Sequence, residues 1–170
     1  INSVVRMTGV SKPTILKLLA DLGTACAKYQ DEKLRNLPCK RVQADEIWSF
    51  CFAKDKNLPD ALKGKFGFGS VWTWTAICAD TKLMISWLVG ERSVPYAEKF
   101  ISDIASRLAN RVQLTTDGHK AYLQAVEKAF GSEIDYAMLE KIYAAPPQEG
   151  VTTRYSPAQC CGAKKNKIAG

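Results

Sequence analysis

The sequence predicts an α/β fold, a mixed five-stranded sheet with flanking helices, preceded by a pair of helices. Three observations carry this prediction. From residue 42 onward the hydrophobic pattern runs strand, strand, strand, helix, strand, helix, strand. The second and third strands are joined by the tight turn Asp80-Thr81-Lys82, whereas the later strands alternate with helices, as crossover connections require. Ahead of the strands, apolar residues keep helical spacing on both sides of Gly9.

Residues 1–30 read as two helices with a tight turn. Val4, Val5 and Met7 give the first an apolar face. Gly9 suits a turn that needs positive φ, Ser11 is a good N-cap, and Pro13 falls in the first turn of the second helix, where its missing N–H costs nothing. Ile15, Leu16, Leu18, Leu19 and Leu22 are expected to form a core face. This is a helix-turn-helix pattern, and it would place Ser11, Lys12, Thr14 and Lys17 where bases and phosphates are met. A plain helical hairpin has the same spacing. Residues 28–41 read as a charged connector, most simply a solvated face, with Pro38 ending any helix.

Residues 42–52 form the first predicted strand and 53–69 a lysine- and glycine-rich loop. Strands follow at 70–80 and 83–89, and a helix opened by Pro95 runs to 109. Residues 112–116 are the fourth strand, 121–130 a helix and 133–143 the fifth strand. From residue 144 the chain reads as irregular, ending in Lys164, Lys165 and Lys167. Trp48, Trp72, Trp74 and Trp87 are expected in the core. The expected organisation is a DNA-binding segment and connector over 1–40 and a catalytic domain over 41–170, incomplete at its C-terminus; both ends read as cut.

Composition narrows the function. With 46% hydrophobic residues in 170, the chain can bury a real core. A net charge of +7 favours a polyanionic partner without specifying which. The six cysteines show no CxxC pair, and the single histidine leaves no zinc spacing, so a reducing, cytoplasmic setting is expected. No apolar run approaches the roughly 20 residues of a membrane span.

The chemistry gathers at two strand ends. The first strand carries Asp45-Glu46 among apolar residues, and the fourth leads straight into Asp117-Gly118. In the RNase H-like arrangement of this strand order the first and fourth strands are neighbours, which sets Asp45 and Asp117 side by side. Two close carboxylates repel unless one is protonated or both hold a cation. Hard oxygen ligands suit Mg²⁺ or Mn²⁺, and such ions serve phosphodiester cleavage. Glu46 is expected to face the other way and to be a surface group. His119 reads as a capping or surface residue with a possible phosphate contact. Lys120 reads equally as a DNA contact or a solvated helix start.

The segments Ala44-Asp45-Glu46-Ile47-Trp48-Ser49-Phe50 and Thr116-Asp117-Gly118-His119-Lys120-Ala121-Tyr122 resemble the two first acid motifs of bacterial insertion-sequence transposases of the insertion-sequence-one (InsB-like) type. The stretch 71–88 and the front helices share that look. The resemblance implies a DDE-class enzyme that cuts and joins double-stranded DNA at transposon ends, depends on Mg²⁺ or Mn²⁺, and works as a homo-oligomer. Asp45 and Asp117 match the first two acids of the triad. The family's third acid, a Glu in a Glu-Arg-x-Asn motif after the fifth strand, has no counterpart, and neither has its N-terminal zinc-binding segment. Glu140 and Glu149 are weak substitutes. A DNA-binding piece without chemistry, or another RNase H-like nuclease, is the alternative reading.

Overall fold

The computed structural model describes residues 1–65, 67–143 and 160–170. They form two compact units, Ile1–Arg35 and Asn36–Gly170.

The first unit is α1 (Asn2–Thr8) and α2 (Lys12–Lys33). Gly9 between them sits at φ 71°, the left-handed region in which a glycine pays no Cβ penalty. Ser11 caps α2 by accepting the Thr14 N–H, and the two hydroxyls share a 2.8 Å hydrogen bond. The second helix runs to Lys33, so the first part of the expected connector is helical. The expected core face is not one: no residue of either helix is buried, and Leu16, Leu18, Leu19 and Leu22 are exposed. A pair of helices, one of seven residues, has no third layer within its own unit for a leucine face to bury against.

The second unit holds β1 (Arg41–Cys51), β2 (Gly69–Cys78), β3 (Met84–Gly90), α3 (Val94–Arg107), β4 (Val112–Thr116), α4 (Ala121–Phe130), β5 (Ile134–Tyr143) and β6 (Cys160–Ala169). Two short 3₁₀ turns, Asp55–Asn57 and Asp60–Leu62, punctuate the loop between β1 and β2. The sheet order is β3-β2-β1-β4-β5-β6. The pairs β1–β2 and β2–β3 are antiparallel, and β1–β4 and β4–β5 are parallel. This is the RNase H-like arrangement, in a mixed sheet flanked by helices, with one strand more than expected. β6 pairs antiparallel with β5 over the stretch that reads as an irregular basic tail. Its lysines point away from an edge strand into solvent, where they block further pairing, so the charge that suggests a loop is the mark of an exposed edge. Glu149 and the prolines at 146, 147 and 157 lie outside the described residues.

One face of the sheet is the core. Alternation along β1 and β4 turns Val42, Ala44, Val112 and Leu114 inward, all 4% exposed or less. Phe100, Ile101 and Ile104 of α3, and Tyr122, Ala125 and Val126 of α4, close over them. Of the four tryptophans only Trp74 is buried; Trp48 and Trp87 are exposed and Trp72 is half-buried. The aromatic residues at the far ends of β1 and β2 are not among the core residues that α3 and α4 cover.

Candidate active site

The pairing of β1 with β4 ends at Gln43↔Thr115. Beyond it the two strands splay, and the carboxyl end of a parallel pair opens a crevice, the usual place for a ligand in such sheets. Asp45 lies on β1 just past the last paired residue and Asp117 just past the end of β4. The structure brings both together with Glu46: one carboxylate oxygen from each lies within 4.8 Å of the other two.

Each acid is held differently. Asp45 is exposed, and its Oδ1 accepts the Glu46 N–H at 2.8 Å, which turns the carboxylate toward the strand edge. Asp117 accepts the His119 N–H at 2.9 Å through Oδ1, closing a tight turn. Glu46 is the surprise. It does project from the opposite side of β1 to Asp45, but that side is the core face, and its side chain is 1% exposed rather than on the surface. Burial pushes the Glu46 carboxyl above its ordinary value; the nearby Tyr122 hydroxyl and Arg92 guanidinium pull it down, and the Asp117 charge pushes it up. Glu46 Oε1 and Tyr122 Oη complete no hydrogen bond. Burial together with the Glu46 charge raises the Tyr122 phenol well above its ordinary value, so it stays neutral.

A protein cation answers this charge. Arg92, just before α3, donates from Nε to Glu46 Oε2 at 3.2 Å and from Nη2 to Asp117 Oδ2 at 3.1 Å. Its guanidinium also lies over the Trp72 ring, 5.0 Å from the centroid. Sequence reasoning missed Arg92. Its only local signal is its place ahead of the helix start at Ser93-Val94-Pro95, and its two partners lie 46 and 25 residues away.

Asp45 and Asp117 line a cleft of about 910 Å³. Gln43, Asp45, Thr75, Ile77 and Thr115, from the sheet face opposite the core, form its floor, and Arg92, Lys120 and Lys141 bring positive charge to its walls. Glu140 lies on β5, as its position implies, and lines the same cleft. A Cβ at Gly118 would meet its Cγ at 2.9 Å, so glycine there lets Glu140 lie against the Asp117 turn. His119 is not a surface group: it is half-buried beside Trp74 and Tyr122, and burial, reinforced by Arg92, lowers its pKa. Lys120, at the start of α4, is exposed to the cleft.

The front residues are placed otherwise. Ser11 and Thr14 use their hydroxyls on each other and on the helix cap. Lys17 pairs with Asp21 one turn along the same helix, and both are well exposed; Lys12 is exposed at the first turn.

A divalent cation fits the donor set. The three groups that converge are all carboxylates, no cysteine or histidine joins them among the described residues, and one buried oxygen, Glu46 Oε1, lacks a partner. Oxygen-only donors suit Mg²⁺ or Mn²⁺.

No protein-family model matches the chain, and no curated protein matches it. Among solved structures it is similar to a piggyBac transposase in a synaptic complex with hairpin DNA, at 13% identity and a TM-score of 0.39, over 71% of this chain and 27% of that one. It is similar to endonuclease V of Bacillus subtilis at 16% identity and a TM-score of 0.30, over 80% of this chain and 58% of that one. The third is endonuclease V of Ciona intestinalis, in complex with a 24mer DNA containing an inosine followed by a ribo-adenosine. It shows 10% identity and a TM-score of 0.25, over 81% of this chain and 64% of that one. The chain thus spans about a quarter of the transposase and less than two thirds of either endonuclease.

Proposed function

We propose that this chain carries the metal-dependent phosphodiester-cleaving domain of a DNA transposase of the DDE class, acting in the cytoplasm at insertion-sequence ends as part of a homo-oligomer. The observation that carries the reading is the convergence of Asp45, Glu46 and Asp117 within 4.8 Å at the open end of β1 and β4. The two acid motifs and their resemblance to insertion-sequence transposases support the narrower class. No described helix is long and apolar enough to cross a membrane.

In this reading Asp45 and Asp117 hold Mg²⁺ or Mn²⁺, and Glu46 adds the third carboxylate. When bound, such an ion activates the attacking oxygen and stabilises the leaving one in phosphodiester cleavage. The chain's own groups do the rest. Arg92 stands 34% exposed at the cleft, with a planar donor fork that suits phosphate oxygens once it leaves either acid. Lys120 and Lys141 draw a polyanion into the cleft. Buried Glu46 holds the guanidinium beside Asp117. Ser11, Lys12, Thr14 and Lys17 on the front helices supply duplex contacts; with the hydroxyls of Ser11 and Thr14 already bonded, those contacts fall mainly to phosphates.

A second reading has an observation of its own. Arg92 already engages two of the three acids, as a DNA-binding module without chemistry would have it. Nicking of supercoiled DNA by the intact chain separates the two. Activity that needs Mn²⁺ or Mg²⁺ and falls by at least about a hundredfold in Asp45→Asn and in Asp117→Asn supports the enzyme. No nicking with DNA binding retained leaves the binding module.

A further inference from the structure

The core face of β1 does not stop at Glu46. Continuing by twos it presents Trp48 and Phe50, roughly 7 and 13 Å further along the strand. Across the sheet Trp48 sits opposite Trp72, and Phe50 opposite Ser70. Glu46 and an aromatic strip therefore share one face of the sheet, with Arg92 joining them: it touches Glu46 at one end and lies over Trp72 at the other.

The strip is built, not merely left over. The Trp48 Nε1–H donates to Ser70 Oγ at 3.0 Å, and Ser70 is itself fixed to Asp55, whose Oδ1 accepts the Ser70 N–H at 2.8 Å. The indole's only donor is thus satisfied inside the fold, and the residue is 42% exposed. Phe50 lies against it with centroids 5.7 Å apart and is 46% exposed. Lys54 Nζ stands over the same indole, 5.4 Å from the centroid. The loop that follows carries Lys56, Lys63 and Lys65. Its acids are engaged at home, Asp55 with Ser70 and Asp60 with Lys63.

We propose that the Trp48–Phe50–Trp72 strip is a stacking platform for unpaired nucleobases, so that the strand entering the site is single-stranded or locally unpaired rather than intact duplex. The proposal rests on the reading of the neighbouring acids as a phosphodiester-cleaving site, and it specifies that site's substrate. Flat aromatic faces interleaved with lysines are what a single strand requires: bases stack on the rings and phosphates meet the ammonium groups. With the indole N–H already used, the platform has no means of reading base edges, so it tolerates any sequence. A second copy of this chain is a poorer occupant, because it would bring the same lysines face to face.

The test is binding of labelled oligo(dT), and of the oligo(dA)·oligo(dT) duplex, to the intact chain in EDTA, where cleavage plays no part. Trp48→Ala is expected to weaken the single strand about tenfold, with the duplex little changed. Trp48→Phe should recover most of the loss. Phe50→Ala should give a smaller loss of the same kind, which guards against a folding defect in the first variant. Equal loss on both ligands, or no loss on either, overturns the proposal. So does a dimer in sedimentation that Trp48→Ala dissolves, since the strip would then be a contact between copies. Asp117→Asn separates the two readings: single-strand binding that survives in it while the wild type shows no metal-dependent nicking would remove the cleavage reading and keep the platform.

Discussion

At Arg92 one guanidinium balances two carboxylates, and one of them is Glu46, whose side chain has almost no access to water. Truncation at Arg92 leaves that carboxylate without its charged partner. Arg92→Ala is therefore expected to cost about 2 kcal/mol of stability in EDTA, and excess Mg²⁺ should return more of it than it adds to the wild type, because the ion takes over the balancing charge. Thermal unfolding with and without Mg²⁺ checks this; a variant with wild-type stability in EDTA would mean that Glu46 is protonated and needs no cation. Arg92→Lys should recover little, since a point charge cannot bridge both acids as the fork does. Asp45 and Asp117 were legible because each interrupts or ends an apolar run. Glu46 was not. Alternation correctly gives it the other side of β1, but whether that side is solvent or core depends on Tyr122 and Arg92, which sequence spacing does not connect to it.

At the scale of elements, the β3–α3 junction sets Arg92 in place. Gly90 ends β3, and a Cβ there would stand 1.9 Å from the Tyr96 ring in the first turns of α3. A side chain at residue 90 would have to displace that ring, which stands in the first turns of the helix that follows Arg92. Gly90→Ala is expected to destabilise the domain by about 1–3 kcal/mol. It should also weaken metal-dependent nicking beyond what the lost stability explains. Chemical denaturation gives the first number and nicking at a temperature where the variant is fully folded gives the second; a neutral variant would show that Tyr96 repacks freely. Helices α3 and α4 and strand β4 were readable in the chain because their apolar periods are clean, as in Phe100, Ile101 and Ile104. β6 was not readable: three of its ten residues are lysine, and its strand character comes from pairing with β5, a tertiary cause. The aromatic end of β1 was misjudged for a related reason. Trp48 and Trp74 have equal strand propensity, and only the reach of the helices decides which of them is covered.

At the scale of the whole molecule, the chain carries a net charge of +7 and gathers three carboxylates into one small cluster. That pattern draws a polyanion in and concentrates the negative groups where a cation can screen them from it. Everything proposed for the chemistry depends on Asp45, Glu46 and Asp117 acting as one cation site, and binding of Mn²⁺ to the intact chain, followed by electron paramagnetic resonance, tests that claim without relying on any nucleic-acid substrate. The account predicts one saturable site, weakened about tenfold or more by Asp45→Asn, by Glu46→Gln and by Asp117→Asn alike. Wild-type Mn²⁺ affinity in all three variants would contradict it.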